Sequence, residues 1–260
     1  MNPRLVPHPA RRFDAIISDI DGCLGPESHA PLDASSLLTL ARHNARAVST
    51  GDVPLITLCS GRPQPYAEAM CRLLGNTLLP CICENGVWLY DPRDNAFLRD
   101  PSITAHHLDA VRDATRWFEA DLIPRGVVIQ PGKTASISLW HPDTAFLLSL
   151  REPIRERFTR ESWPLRVSNT VAWINCDLTH VNKGTGIDRL LAMTGLTRER
   201  AAGIGDMPGD LAIRERVAFF ASPVNAEASV KAASDYISPY EEIEGVLDIV
   251  ARLSLPAAGM

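Results

Sequence analysis

Four short segments place acidic, hydroxyl and basic side chains beside apolar runs: Asp19-Ile20-Asp21-Gly22, Ser60-Gly61-Arg62-Pro63, Asn182-Lys183-Gly184 and Gly205-Asp206-Met207-Pro208-Gly209-Asp210. Asp19 and Asp21 stand two residues apart directly after the apolar residues 13–18, so both carboxylates project the same way where a buried strand ends. Ligands of open α/β sheets bind beyond those ends. Carboxylates there serve as nucleophiles, as proton donors and acceptors, or as ligands of a hard cation. Ser60 and the backbone N–H groups after it form an anion cradle at a helix start. Lys183 precedes a helix, where the positive dipole end disfavours a cation unless an anion is near. Asp206 and Asp210 follow another apolar run and open another helix.

Each segment alone has a purely structural explanation: a solvated turn, a helix cap at Ser60 or Asp206, an exposed lysine, a dipole-complementing Asp210. Those separate explanations do not account for all four lying at strand ends in this order. A calcium loop is disfavoured because Cys23 stands where a further oxygen ligand belongs. A serine nucleophile is weaker still, since Leu58-Cys59-Ser60-Gly61-Arg62 lacks the flanking glycines of a nucleophile elbow.

The elements that must position these groups are legible in outline. Residues 13–18 and 53–59 are short and apolar, as parallel strands buried on both faces are. Between them Asp33 caps a helix with Leu37, Leu38, Leu40 and Ala41 at helical spacing. Residues 62–74 read as a helix with Pro63 in its first turn and Gly75 near its end, and residues 78–83 as a strand leading to Glu84-Asn85-Gly86. The pattern then changes. Short strands at 87–90, 126–130, 135–140, 165–168 and 171–176 alternate with helices at 104–120 and 143–158, and residues 167–171 have hairpin character. Trp88, Trp117, Trp140, Trp163 and Trp173 all fall in this stretch, which points to a separate core there. A helix at 185–193 and strands at 201–205 and 217–221 resume the alternation. The expected fold is α/β: a Rossmann-like parallel-sheet core with helices on both faces, from residues 1–86 and 178–260, and an inserted α+β domain at residues 87–177.

Bulk properties narrow the partners. At 260 residues the chain can hold two modest domains. The net charge of -5, with no block of consecutive basic residues, argues against nucleic acid. No segment approaches the roughly 18 apolar residues of a spanning helix, and the basic amino-terminal stretch has no apolar run behind it, so a cytoplasmic protein without a membrane partner is expected. Six cysteines lie mostly in apolar runs without disulfide-like spacing, and no second pair or histidine completes a zinc set around Cys81 and Cys83.

In order and over nearly the whole chain, the four segments resemble the four motifs of the haloacid dehalogenase superfamily. The insertion between the second and third, bounded by Glu84-Asn85-Gly86 and Asn182-Lys183-Gly184, resembles the Cof-type, sugar-phosphate phosphatase branch with a large α/β cap. The resemblance implies a magnesium-dependent phosphatase acting on a small phosphorylated metabolite, such as a sugar phosphate, through an aspartyl-phosphate. It makes Asp19 the nucleophile and Asp21 the acid and then the base. Asp19, the Asp21 carbonyl oxygen and Asp206 would hold magnesium; Gly22, Ser60, Gly61 and Lys183 would hold phosphoryl oxygens; Asp210 would orient Lys183 or a metal-bound water. Lys133 and Ser136 resemble cap positions that touch substrate, while Glu84 and Asn85 lie where cap and core join. Cys23 replaces a frequent Thr, and Gly209 replaces a frequent Asn, which removes a hydrogen-bonding side chain near the metal. Two alternatives share these residues: a phosphomutase that excludes water from the phosphoenzyme, and a non-catalytic sugar-phosphate sensor, against which the intact Asp19 and Asp21 weigh. A monomer or homodimer is expected.

Overall fold

The computed structural model describes His8, residues 11–27 and residues 29–255; most of the basic amino-terminal stretch lies outside them. In chain order the elements are β1 (Ala15–Ser18), α1 (Ala34–Thr50), β2 (Leu55–Leu58), α2 (Gln64–Leu73), β3 (Cys81–Cys83), β4 (Trp88–Asp91), β5 (Ala96–Arg99), α3 (Ala105–Asp121), β6 (Val128–Ile129), β7 (Ser136–Trp140), α4 (Thr144–Ser149), α5 (Arg151–Arg160), β8 (Leu165–Asn169), β9 (Trp173–Leu178), α6 (Lys183–Thr194), β10 (Ala201–Ile204), α7 (Leu211–Arg214), β11 (Phe219–Ser222), α8 (Ala228–Ala233), β12 (Tyr236–Ile237) and α9 (Glu242–Leu253).

Five parallel strands form the central sheet in the order β12-β11-β10-β1-β2. Ile16 points to one face, among Leu37, Leu40, Met70 and Ile249, and Ile17 to the other, among Ile187, Leu190, Ile213 and Phe220. Burial on both faces is the reason these strands read as unbroken apolar runs. Ser18 is level with Leu58 on one side and Ile204 on the other, so the residues after β1, β2 and β10 leave the sheet side by side. Asp33 caps α1 by accepting the N–H groups of Ser35 and Ser36, and Gly51, at φ 68°, ends it in a conformation that costs glycine little.

The insertion begins as an extension of this sheet. Cys59 and Ile82 form a parallel bridge between β2 and β3, and β4 and β5 follow antiparallel. Leu89 and Tyr90 of β4 pack in the core of the central sheet, Val87 packs in a second core, and Trp88 touches both. That second core lies between an antiparallel sheet, β6-β7-β9-β8, and helices α3, α4 and α5. Ile137, Leu139, Val167, Ile174 and Cys176 face it, together with Phe118, Leu147, Ile154 and Phe158. Each such residue, when fully buried, contributes roughly 1.5–3 kcal/mol. Trp117 and Trp163 pack against it as well, whereas Trp140 and Trp173 pair across β7 and β9 on the opposite face. The expected single helix over residues 143–158 is two, α4 and α5, broken at Leu150. Pro153 has no N–H to give the Ser149 carbonyl, which ends the first helix there. All six cysteines are buried and none is in a disulfide, and no described helix is long and apolar enough to cross a membrane.

Candidate active site

Asp19 emerges from the carboxyl end of β1, buried, with Oδ1 accepting the Ile20 N–H at 2.8 Å. Its other oxygen lies 2.8 Å from Nζ of Lys183, which also donates to Asp210 Oδ1 at 2.6 Å. Lys183 opens α6 behind Asn182, whose side chain caps the helix through the Thr185 N–H. The conflict between a cation and a helix amino terminus is therefore resolved by two carboxylates. Asp210 spends its second oxygen on the N–H groups of Asp206 and Met207, both at 3.0 Å, so it fixes Lys183 and the turn after β10 together.

Asp206 is differently placed. Cys23 Sγ, 3.7 Å from Oδ1, makes the one hydrogen bond its carboxylate receives among the described residues. Gly22, at φ 75°, lies so close that a Cβ there would sit 2.0 Å from Asp206 Oδ2. Asn225 donates to the Gly22 carbonyl at 2.9 Å and accepts the Glu242 N–H at 2.7 Å, tying the loop after β1 to α9. Sequence reasoning missed Asn225, which lies 203 residues from its partner in the first segment.

The charges do not balance. Burial, then the neighbouring Asp210, pushes Asp19 up to about 7 against the pull of Lys183. Burial, Asp210 and Asp19 push Asp206 to about 9. Burial opposes the Lys183 charge, but Asp19 and Asp210 hold its pKa well above the usual value. Oxygens of Asp19, Asp206 and Asp210 lie within 4.8 Å of one another. Since both Asp210 oxygens are occupied, Asp19 and Asp206 keep lone pairs open for a hard, oxygen-seeking cation, and the Asp21 carbonyl accepts no hydrogen bond among the described residues. This donor set fits magnesium.

Asp21 is gripped by Arg62, whose Nε lies 2.9 and 2.8 Å from its two oxygens. Ser60 is fully buried; its Oγ accepts the Arg62 N–H at 3.1 Å and donates to no acceptor among the described residues, leaving its proton for an anion. Asp19, Asp21, Gly61, Asn85, Lys133, Lys183 and Asp210 line one cleft, joined by Glu27, Arg62, Gln130, Ser138, Ser168, Trp173 and Asn175.

Glu84 and Ser136 are not turned into this cleft but toward each other. The buried Glu84 carboxylate accepts the N–H groups of Thr134 and Ala135 and the hydroxyls of Thr134 and Ser136. Glu84 and Asn85 both have positive φ, 47° and 53°, a pair of left-handed residues that fixes the turn out of the core. Asn85 donates to Asp177 at 3.2 Å, a second tie to the inserted sheet. Lys133 donates to Ser138, which donates to Asn175, and no carboxylate stands within ion-pair distance of Lys133 among the described residues. Burial lowers its pKa, with Asp177 and Glu84 pulling the other way. A Cβ at Gly209 would meet nothing, so the missing Asn leaves open space rather than a forced gap.

Residues 152–250 match the family model of the haloacid dehalogenase-like hydrolases. The chain is 29% identical over 242 residues to the phosphoglycolate phosphatase of Methanothermobacter thermautotrophicus, covering 92% of this chain and 97% of that protein. It is 26% identical over 242 residues to the phosphoglycolate phosphatase of Methanospirillum hungatei, covering 93% and 96%. A match to the Methanothrix thermoacetophila phosphoglycolate phosphatase is 38% identical over 80 residues but spans only 35% of that protein. Among solved structures, a Thermoplasma acidophilum protein superimposes with a TM-score of 0.71 at 18% identity, over 94% of this chain and 99% of that one. A haloacid dehalogenase-like hydrolase from Bacteroides thetaiotaomicron gives 0.69 at 17%, over 93% and 99%. These structural likenesses show a shared fold: a parallel sheet carrying an inserted antiparallel one.

Proposed function

We propose that this chain, a member of the haloacid dehalogenase-like hydrolases, is a magnesium-dependent phosphatase that hydrolyses a small phosphate monoester through a phosphoenzyme on Asp19. The observation that carries the reading is the buried, negatively unbalanced cluster around Asp19, with Lys183 against it and a cleft in front of it. Magnesium, held by Asp19, the Asp21 carbonyl oxygen and Asp206, would supply charge neutralisation.

Asp19 attacks phosphorus as the bond from phosphorus to the leaving oxygen breaks, and Asp21 gives that oxygen a proton. A water then attacks the aspartyl-phosphate and loses its proton to Asp21, which frees Asp19 and inorganic phosphate. Lys183, Ser60 and the Gly61 backbone hold the phosphoryl oxygens, and Asp210 keeps Lys183 in place; the Gly22 N–H, expected from the sequence to join them, instead donates to the Gly25 carbonyl at 2.8 Å. Residues 87–177 act as the cap that encloses the leaving group, although the β4–β5 hairpin at their start extends the core's own sheet. The neutral hydrogen-bonding row of Gln130, Ser138, Asn175 and Ser168 suits a sugar phosphate. A second reading, phosphoglycolate, is favoured by Lys133, a cation facing the cleft with no carboxylate partner, and by the names of the relatives above.

The test separates the two roles of Asp21. Asp21→Asn keeps the shape but cannot move a proton, so rapid mixing with an aryl phosphate and magnesium should give a burst of phenol near one equivalent, then slow turnover, with phosphate on Asp19 by mass spectrometry. A label on Ser60, or a wild-type rate of Asp21→Asn on an alkyl phosphate, overturns the reading. Transfer of phosphate to a second sugar without release of inorganic phosphate would identify a phosphomutase instead.

A further inference from the structure

Arg62 stands on the wall of the cleft and is held at three points before it meets Asp21. Its N–H is fixed by Ser60 Oγ at 3.1 Å, its carbonyl accepts the Glu84 N–H at 2.9 Å, and its guanidinium lies 4.9 Å over the Tyr66 ring. The Asp21 carboxylate, in contrast, accepts hydrogen bonds from Arg62 alone among the described residues: two from Nε, at 2.9 and 2.8 Å, and a third from a terminal nitrogen. The pair spans 41 residues and joins the loops that follow β1 and β2, with only 20% and 25% of the two side chains exposed. It is therefore unlike the short-range surface pairs such as Arg112 with Asp109, which contribute little.

A carboxylate on a turn can rotate, while a group that must deliver and then collect a proton has to stay within hydrogen-bond reach of the reacting oxygen. A displacement of about 1 Å at such a group costs about 100-fold in rate. A planar guanidinium sets both the position and the plane of a carboxylate; an ammonium sets neither. We propose that Arg62 is the positioning residue of Asp21: it is anchored to the second loop by Ser60, Glu84 and Tyr66, and it orients the Asp21 carboxylate for proton transfer without taking part in the transfer itself. This inference rests on the assignment of Asp21 as the acid and base.

A double-mutant cycle tests it, using Arg62→Met to keep the bulk over Tyr66, Arg62→Lys to keep the charge, Asp21→Asn, and both changes together. Steady-state rates are measured with glycerol 2-phosphate and magnesium, beside the melting temperature of each variant. The expected result is a fall in kcat of about 100-fold for Arg62→Met, with KM within about 3-fold. Arg62→Lys should recover less than about 10-fold, since it cannot fork. Adding Arg62→Met to Asp21→Asn should cost nothing further. A rise in KM at unchanged kcat, or an equal further loss in the Asp21→Asn background, would show Arg62 acting on the substrate directly and overturn the proposal. A wild-type kcat in Arg62→Met beside a slow Asp21→Asn overturns it while leaving the assignment of Asp21 intact. A wild-type rate for Asp21→Asn overturns that assignment and this inference with it. If Arg62→Met melts too low to assay, the same cycle run with Arg62→Lys decides between these outcomes.

Discussion

At the floor of the cleft, Asp19, Lys183, Asp206 and Asp210 are all buried, each on a loop or helix start set by the parallel strands, and Gly22 and Gly205 approach their neighbours so closely that a Cβ would lie 2.0 and 2.3 Å from Asp206 and Asp210 atoms. At its roof, Ser138, Asn175 and Ser168 stand in one cross-strand row on a sheet face, mostly neutral, with Lys133 beside them. The floor concentrates charge and permits no slack, which on the proposed mechanism is where preorganised electrostatics acts as a bond breaks. The roof needs only shape and hydrogen bonds, so its members are individually replaceable.

The largest expected effect sits at the floor. Gly22→Ala puts a methyl group onto Asp206 Oδ2 in a left-handed backbone conformation, and phosphate release in saturating magnesium should fall at least about 100-fold. A near-normal rate would break the contrast between the two ends. Magnesium removal gives the next effect. Asp19 and Asp206 are raised from 3.8 to about 7 and about 9, so the metal-free folded protein binds more protons than the unfolded chain. The stabilisation from holding these protons is complete below pH 4 and is lost as pH rises through about 7 and about 9. Calorimetry of chelated protein should show the melting temperature falling by at least about 10 °C between pH 5 and pH 9, with magnesium abolishing most of the fall. A melting curve insensitive to magnesium at pH 9 would refute the cation site. The smallest effects belong to the roof. Lys133→Ala should raise KM for the natural substrate by about 10-fold while sparing an aryl phosphate, and Ser138→Ala should raise it only about 3-fold. Equal losses on both substrates would place Lys133 in the floor rather than the roof.

Much of the floor was legible because strand ends are visible in a sequence: an apolar run that stops at Asp19, at Ser60 or at Asp206 announces both the sheet and the place where a ligand meets it. The pairing of Arg62 with Asp21 was not legible, since only the side-by-side order of β1 and β2 brings their loops together. Glu84 was visible as a junction residue, but its four donors come from residues 134–136, and no local pattern near Glu84 announces them. The roof left a signal that went unused. Residues 136–139 and 174–178 alternate polar and apolar side chains, which marks a sheet with one face on a core and the other open.

That alternation has a consequence for how such a protein changes over time. In β7, β8 and β9 the residues that hold the inserted segment together, Ile137, Leu139, Val167, Ile174 and Cys176, alternate with Ser138, Ser168, Trp173 and Asn175, which line the cleft. On the proposed function, folding and substrate choice are written in the same stretches of chain but at different positions, so either can be revised by substitution without disturbing the other. Length is a different matter, because one residue gained or lost inside any of these strands turns the two faces inside out together. On that reading new substrates are reached by exchange along the strands, and insertions are confined to the turns between them.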